Sequence, residues 1–140
     1  MERLREILVH GGRGARQVYD ADTQTVAILS HHFAATHVDV PCSNTGVMRR
    51  RVDLRWRVEQ AELKRLAATQ IQLLEKVAEQ IKPRGVLVYS TCSLEPEENS
   101  ELVQRFVSQY PSFKLDHERA LLPFDEGVDG AYVARLIRQS

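Results

Sequence analysis

A long amphipathic helix followed at once by an apolar strand constrains the fold of this chain more than any other feature. Residues 58–82 place apolar side chains at every third or fourth position, with charged and amide side chains on the opposite face. The apolar positions are Leu63, Leu66, Ala67, Ile71, Leu74, Val77, Ala78 and Ile81. Pro83 and Gly85 end this pattern, and residues 85–90 (GVLVYS) form a continuous apolar run of strand length. A helix leading into a strand that is buried on both faces predicts an α/β fold with a parallel sheet.

Shorter patterns predict the remaining elements. A helix is expected over residues 2–9, where Gly11 and Gly12 would end it, and residues 25–35 lack a clean period and are expected to be irregular or a single helical turn. Ser93, Pro96 and the following acids predict a helix that runs to about residue 109. The predicted strands cover residues 16–20, 36–40, 113–115 and 131–137.

Length and composition set only broad limits on function. A chain of 140 residues with 43% hydrophobic and 27% charged residues is typical of one soluble globular domain. The net charge is zero, so any affinity for nucleic acid must come from a local basic patch. The two cysteines form no disulfide framework and the chain opens without a secretory signal, which favours a cytoplasmic protein. The apolar runs are too short for a membrane segment.

Two stretches with reactive side chains follow predicted strands that a single helix connects. Cys42 comes after the strand that ends near Asp39, and Cys92 comes after the strand at residues 85–90. Because ligands bind at the carboxyl ends of parallel strands, both cysteines are expected to face one crevice. Taken singly, a buried cysteine is more often a small apolar residue than a nucleophile, and Asp39 before Pro41 could be an ordinary turn carboxylate. The coincidence of the two strand ends favours a functional site.

The complete strings around these residues resemble the Sun/nucleolar-protein (Fmu) family of RNA cytosine-C5 methyltransferases. The resemblance lies in residues 39–50 (DVPCSNTGVMRR), 53–57 (DLRWR), 89–99 (YSTCSLEPEEN) and the closing Asp129-Gly130. It covers about residues 36–137 and implies that residues 1–140 are the C-terminal portion of a Rossmann-like, class I methyltransferase catalytic domain. The family uses S-adenosylmethionine as methyl donor, and its usual substrate is ribosomal or transfer RNA; ribosomal RNA is the expected substrate here.

Cytosine chemistry explains why such an enzyme needs a thiolate. Carbon 5 of cytosine is a poor nucleophile, so the enzyme adds a thiolate to carbon 6 and makes an enamine that can attack a methyl group. The resemblance implies that Cys92 is the nucleophile, that Cys42 assists product release and that Asp39 contacts the cytosine ring. DNA cytosine-C5 methyltransferases instead use the Pro-Cys cysteine as nucleophile, and the string at residues 90–99 is what separates the two families.

A basic segment follows the first cysteine and is the candidate RNA contact. Arginines interleaved with an aromatic residue can bind phosphates and stack on an unpaired base, although a solvated arginine run is the alternative. The predicted RNA-binding residues are Arg49, Arg50, Arg55, Trp56 and Arg57, with Arg51 in the same segment. The histidines His31, His32 and His37 lack the spacing of a zinc site, so no metal is expected.

The predicted cofactor site is incomplete. This fold binds its cofactor through a glycine-rich turn after the first strand and an acid after the second, and the first two strands and the glycine-rich loop are not found in the sequence. The resemblance implies cofactor contacts at Asp20, Asp39 and Pro41 only. Uncovered sheet edges would then favour a homodimer. Two other readings stay open: a non-catalytic RNA-binding or interaction fragment, and a thiol-redox protein using Cys42 and Cys92.

Overall fold

A computed structural model describes residues 7–11, 16–20, 25–28, 33–47, 59–123, 127 and 129–140 of the chain. Seven strands and two α-helices follow one another along it. They are β1 (Ile7–Gly11), β2 (Arg16–Asp20), β3 (Thr25–Ile28), β4 (Phe33–Asp39), α1 (Gln60–Ala78), β5 (Ile81–Thr91), α2 (Ser100–Gln109), β6 (Phe113–Leu121) and β7 (Ala131–Arg138). Single 3-10 turns lie at Thr45–Val47 and Pro96–Glu98.

The strands form one sheet in the order β3-β2-β1-β4-β5-β7-β6. At its centre β4 and β5 run parallel, and α1 is the crossover between them. The last strand, β7, inserts antiparallel between β5 and β6. On the other side of β4, the strands β1, β2 and β3 form an antiparallel meander. The sheet is therefore mixed, and its parallel pair is the one that carries the two cysteines at its carboxyl end.

Helix α1 holds the central strands through its apolar face. Leu74 and Val77 are completely buried, and they belong to one core with Leu87 of β5, Phe106 of α2 and Leu136 of β7. Burying a leucine side chain fully contributes roughly 1.5–3 kcal/mol relative to exposing it. Phe106 also stacks on Tyr110 at a ring-centroid distance of 4.9 Å, which anchors the end of α2. The core thus fixes the position of the two strand ends relative to both helices.

The central half of the fold follows the sequence predictions closely. The strand predicted at residues 16–20 is β2, the predicted strand before Pro41 is β4, and the long helix and the last strand are found within a few residues of their expected limits. The helix predicted to run to residue 109 begins later, at Ser100, because residues 96–98 form a separate 3-10 turn. Strand β6 is longer than predicted and runs to Leu121.

Two predictions upstream of β4 are wrong. Residues 7–11 form strand β1 and not a helix, and residues 25–28 form strand β3 and not irregular structure. Apolar runs of four or five residues do not distinguish a strand from a helical turn, and here pairing with β2 supplies the hydrogen bonds that favour strands. Residues 1–6 lie outside the described residues.

Strand β5 begins before the predicted limit and contains an irregularity. It starts at Ile81, and its register against β4 shifts between the pairs Phe33–Ile81 and Ala35–Val86. Arg84 has a φ of 67°, a conformation that helps the chain to form this bulge after Pro83. Among the described residues, no helix is long and apolar enough to cross a membrane.

Candidate active site

The loops that leave β4 and β5 lie side by side at one edge of the sheet. Asp39 and Ser90 are paired in the parallel ladder, so the two strands end at the same level. Beyond them, the backbone N–H of Gly46 donates to the carbonyl of Cys92 at 2.9 Å. The loops that carry the two cysteines are therefore neighbours at this edge of the sheet.

The two thiols are in direct contact. The Sγ atoms of Cys42 and Cys92 lie 3.1 Å apart, and both cysteines are free. Cys42 is buried at 8% exposure, whereas Cys92 is only half-buried. The hydrogen bond from Cys42 lowers the pKa of Cys92 below its ordinary value, while that same contact and burial raise the pKa of Cys42. The pair is thus polarised: Cys92 is the more accessible sulfur and the one whose ionisation is favoured, and Cys42 is the thiol that donates to it when it is ionised.

Asn44 lies against both sulfur atoms. Its Oδ1 is 2.7 Å from the Sγ of Cys92 and 3.7 Å from the Sγ of Cys42. Its backbone has a φ of 60°, which asparagine tolerates better than most residues. Sequence reasoning missed this residue, although an asparagine between Cys42-Ser43 and Thr45-Gly46 is a signal for a left-handed turn.

Asp39 lies at the same cavity as Cys92. A cavity of about 280 Å³ is lined by both residues and by Arg119 and Leu121 of β6 and Tyr132 of β7. The carboxylate accepts a hydrogen bond of 3.1 Å from the hydroxyl of Ser90, which in turn lies 2.7 Å from Nε2 of His37. A thiol group, a carboxylate and a guanidinium thus share one small cavity. Arg119 and Tyr132 were not among the sequence candidates, because only the antiparallel pairing of β6 and β7 brings them here.

The two remaining cofactor candidates, Asp20 and Pro41, lie at or just after the ends of strands at this same edge of the sheet. Strands β2 and β4 run parallel to one another with β1 between them, so Asp20 and Asp39 end on one edge of the sheet, one strand apart. Pro41 is half-buried, and its carbonyl accepts a 2.8 Å hydrogen bond from the amide of Gln70. The structure thus gathers Asp39, Cys42 and Cys92 and leaves Asp20 further along the edge.

The predicted RNA-binding residues lie outside the described residues. Positions 48–58 contain all of them, namely Arg49, Arg50, Arg55, Trp56 and Arg57. Histidines His31 and His32 are likewise outside. In the part of the chain that the structure describes, no group of three or more His, Cys, Asp or Glu side chains is arranged to hold a metal ion.

Comparison with known proteins gives one consistent result. The family model of 16S rRNA methyltransferase RsmB/F matches residues 3–137. Ribosomal RNA small subunit methyltransferase B of Vibrio vulnificus (strain YJ016) is 38% identical over 109 residues, which are 74% of this chain and 26% of that protein. The chain therefore spans about a quarter of the length of the curated relatives it matches.

Solved structures of other proteins share the fold of this chain. A methyltransferase homolog protein from Pyrococcus horikoshii has a TM-score of 0.65 at 27% identity, covering 77% of this chain and 40% of that one. NSun6 from Pyrococcus horikoshii, determined with SFG, has a TM-score of 0.64 at 23% identity, covering 74% of this chain and 29% of that one. The predicted α/β fold, an incomplete Rossmann-like methyltransferase fold, is confirmed.

Proposed function

The chain belongs to the 16S rRNA methyltransferase RsmB/F family, and from this premise we propose that it forms the substrate half of an enzyme that methylates carbon 5 of cytosine in ribosomal RNA. The observation that carries the proposal is the polarised pair of thiols, of which Cys92 lines one cavity together with Asp39. Two cysteines that only fill the core would both be buried. Here Cys92 is instead half-buried at a cavity, and the hydrogen bond from Cys42 lowers its pKa.

The first proposed step is covalent addition. The Cys92 thiolate attacks carbon 6 of the cytosine, the C5–C6 double bond opens, and the electron pair moves toward the ring nitrogen and carbonyl. Asp39, as the carboxylic acid, donates a hydrogen bond to the ring nitrogen as this charge develops, and Ser90 orients the carboxyl group by donating to its Oδ1. Arg119, at the same cavity, supplies a positive charge where negative charge accumulates.

The last proposed step is release. Once carbon 5 carries both a methyl group and a proton, a base must take that proton so that the C6–S bond can break and return an electron pair to Cys92. Cys42 lies 3.1 Å from the sulfur that leaves, so it assists this elimination by hydrogen bonding to the departing thiolate. Cys42 is buried and Cys92 half-exposed, which supports this division of roles over the reverse.

The methyl donor that we propose for the complete enzyme is S-adenosylmethionine. It would supply the methyl group, and Asp20, Asp39 and Pro41 would contribute to its site. The described residues fit this donor only in part, because β1 and β2 pair antiparallel and the strand, glycine-rich turn and helix that cradle a nucleotide in this fold class are absent from them. The thiol chemistry above depends only on residues around the described cavity.

A covalent trap tests the roles of the cysteines. RNA carrying 5-fluorocytosine cannot lose a proton from carbon 5, so the adduct with the nucleophile persists. In a full-length relative, alanine at the position matching Cys92 should abolish the adduct, whereas alanine at the position matching Cys42 should leave it intact. An adduct that survives the first change and is lost in the second would reverse the assignment.

A second candidate function is an RNA-binding or interaction module without catalysis. It is favoured by the antiparallel pairing of β1 and β2, because the described residues then hold only part of the expected cofactor site. Titration of the 140-residue chain with labelled S-adenosylmethionine and, separately, with fluorescent ribosomal RNA fragments distinguishes the two. Binding of RNA without the methyl donor would support the module, and binding of both would support an autonomous methyltransferase half.

A further inference from the structure

A buried carboxylate lies beneath both cysteine loops. Glu98, at the end of the 3-10 turn before α2, is 0% exposed. Its partners in the described part of the chain are neutral hydrogen-bond donors and not cations. A carboxylate that is buried at the junction of both loops and bonded to each of them is placed to set their relative position.

The donors to Glu98 come from the residues that directly follow the two cysteines. Ser43, after Cys42, donates from its backbone N–H to Oε1 at 2.8 Å and from its hydroxyl to Oε2 at 2.6 Å. Ser93, after Cys92, donates from its hydroxyl to the same Oε2. One carboxylate oxygen therefore joins the two loops at equivalent positions, one residue beyond each sulfur.

Further contacts hold Glu98 itself. The amide of Gln70 on α1 donates to its Oε1 at 3.0 Å and to the carbonyl of Pro41 at 2.8 Å. The hydroxyl of Tyr89 on β5 donates to the Glu98 carbonyl at 2.6 Å. Only a carboxylate accepts this many donors at one place, since a glutamine would offer one acceptor and two donors of its own.

We infer that Glu98 is the positioning residue of the thiol pair, holding Ser43 and Ser93 so that the Sγ atoms of Cys42 and Cys92 stay in contact. The inference concerns the geometry of the pair; its importance for catalysis rests on the proposed function. Glu98 does not reach the reacting atoms and acts through the two loops.

Glu98 is expected to act on the pKa of Cys92 in two ways: directly through its charge, and indirectly by keeping the two thiols in contact. The two effects have opposite signs, so an experiment can separate them. As a nearby negative charge, Glu98 raises the pKa of Cys92, but this effect is smaller than that of the hydrogen bond from Cys42, which lowers the same pKa. Removing only the charge would lower the pKa of Cys92, whereas losing the contact between the thiols would raise it. The groups that face Cys92 from the surrounding elements are Asp39, Cys42, Asn44, Glu98, Arg119 and Tyr132.

The experiment measures the rate of alkylation of Cys92 by iodoacetamide as a function of pH, with peptide mapping to separate Cys92 from Cys42. In Glu98→Gln the half-titration point of Cys92 should rise by about one pH unit. Glu101→Gln, which removes an exposed charge from the first turn of α2, is the matched control and should leave the profile unchanged. A profile that moves down, or does not move while circular dichroism shows an intact fold, would overturn the inference.

A double-mutant cycle tests whether Glu98 changes the titration of Cys92 through Cys42. Cys42→Ala alone should raise the half-titration point as Glu98→Gln does, and adding Glu98→Gln to it should raise it no further. A further rise in the double variant would mean that Glu98 does not act through Cys42, and would also overturn the inference.

If Glu98→Gln does not fold, Ser43→Ala provides a second test. It keeps Glu98 and removes the hydrogen bond from the Ser43 hydroxyl to its Oε2. Ser43→Ala should still raise the half-titration point of Cys92, by less than one pH unit because the backbone N–H of Ser43 remains bound. If Ser43→Ala folds and the pH profile of Cys92 alkylation is unchanged, Glu98 does not position the thiol pair through Ser43, and the inference is overturned. Alkylation requires neither RNA nor methyl donor. The positioning role of Glu98 can therefore fail this test while the proposed function stands, and the proposed function can fail the covalent-trap test while the positioning role stands.

Discussion

At the scale of single residues, Asn44 meets two demands at once. Its backbone adopts the left-handed conformation and its side chain contacts the sulfur atoms of both cysteines. Glycine would satisfy the first demand and not the second, and alanine would satisfy neither. Aspartate would place a second negative charge beside the thiolate.

Substitution of Asn44 should separate the two demands. Asn44→Ala is expected to lower the free energy of unfolding by about 1–2 kcal/mol relative to Asn44→Gly, because alanine is strained at positive φ. Urea denaturation monitored by circular dichroism measures the difference. Equal stability of the two variants would contradict the φ of 60° at this position.

The polarised thiol pair predicts unequal reactivity toward alkylating agents. Because its pKa is lowered, Cys92 should be half-titrated below the pH at which an ordinary thiol is, and Cys42, whose pKa is raised, should stay unmodified throughout the accessible range. Iodoacetamide rates between pH 6 and pH 10, followed by mass spectrometry, measure both. Faster modification of Cys42 would contradict the assignment of Cys92 as nucleophile.

The sequence was sufficient to find the cysteines and not the residues that support them. Cys42, Cys92 and Asp39 follow strand ends, and strand ends can be predicted from apolar runs. Glu98 reads in sequence as an ordinary acid in the first turn of a helix, and only the folded loops show that it is buried between two serines. Ser93 was predicted as a helix cap, which is wrong: its hydroxyl accepts from the N–H of Glu95 at 2.9 Å, but the N-cap of the 3-10 turn is Glu95 and that of α2 is Asn99.

At the scale of elements, helix α1 is the crossover that brings the two strand ends together. Its buried face includes Leu74 at 0% exposure, whereas Gln72 on the same turn is exposed. The periodicity of this long helix made it predictable. The short apolar runs upstream did not carry enough residues to distinguish a helix from a strand, and β1 and β3 depend on pairing with β2, which no local pattern reports.

Truncation of the α1 core should destabilise the whole domain. Leu74→Ala is expected to cost about 2–5 kcal/mol, because it removes a completely buried side chain and leaves a cavity. Gln72→Ala, at an exposed position of the same helix, should change stability by less than about 0.5 kcal/mol. Thermal and urea unfolding compare the two, and a similar cost for both would mean that α1 does not pack as described.

At the scale of the whole molecule, the two edges of the sheet differ. Strand β6 pairs only with β7 and carries a row of exposed charged or ionisable side chains, which discourage association. These are Lys114, Asp116, His117, Glu118 and Arg119. On the other side β4 is paired with β1, so the outer edge of the described sheet there is β3.

The proposed self-association should therefore occur through β3. Size-exclusion chromatography with light scattering at tens of micromolar is expected to show a dimer, and Val26→Lys in β3 should shift it toward monomer by placing a charge in the edge strand. Lys114→Ala in β6 is the control and should not dissociate the dimer. A monomer in the unmodified chain would contradict the proposal.

The close approach of Gly46 to Gly130 has a consequence for how such sequences can diverge. A Cβ at Gly46 would meet the carbonyl oxygens of Gly130 and Cys92, and one at Gly130 would lie 2.5 Å from Leu94 and 2.8 Å from the Cα of Gly46. Backbone hydrogen bonds link Cys92, Gly46 and Gly130 in series. Sequences that keep this arrangement must therefore keep glycine at both positions, because the atoms that a Cβ at Gly46 would meet belong to the backbone and no substitution at Gly130 removes them.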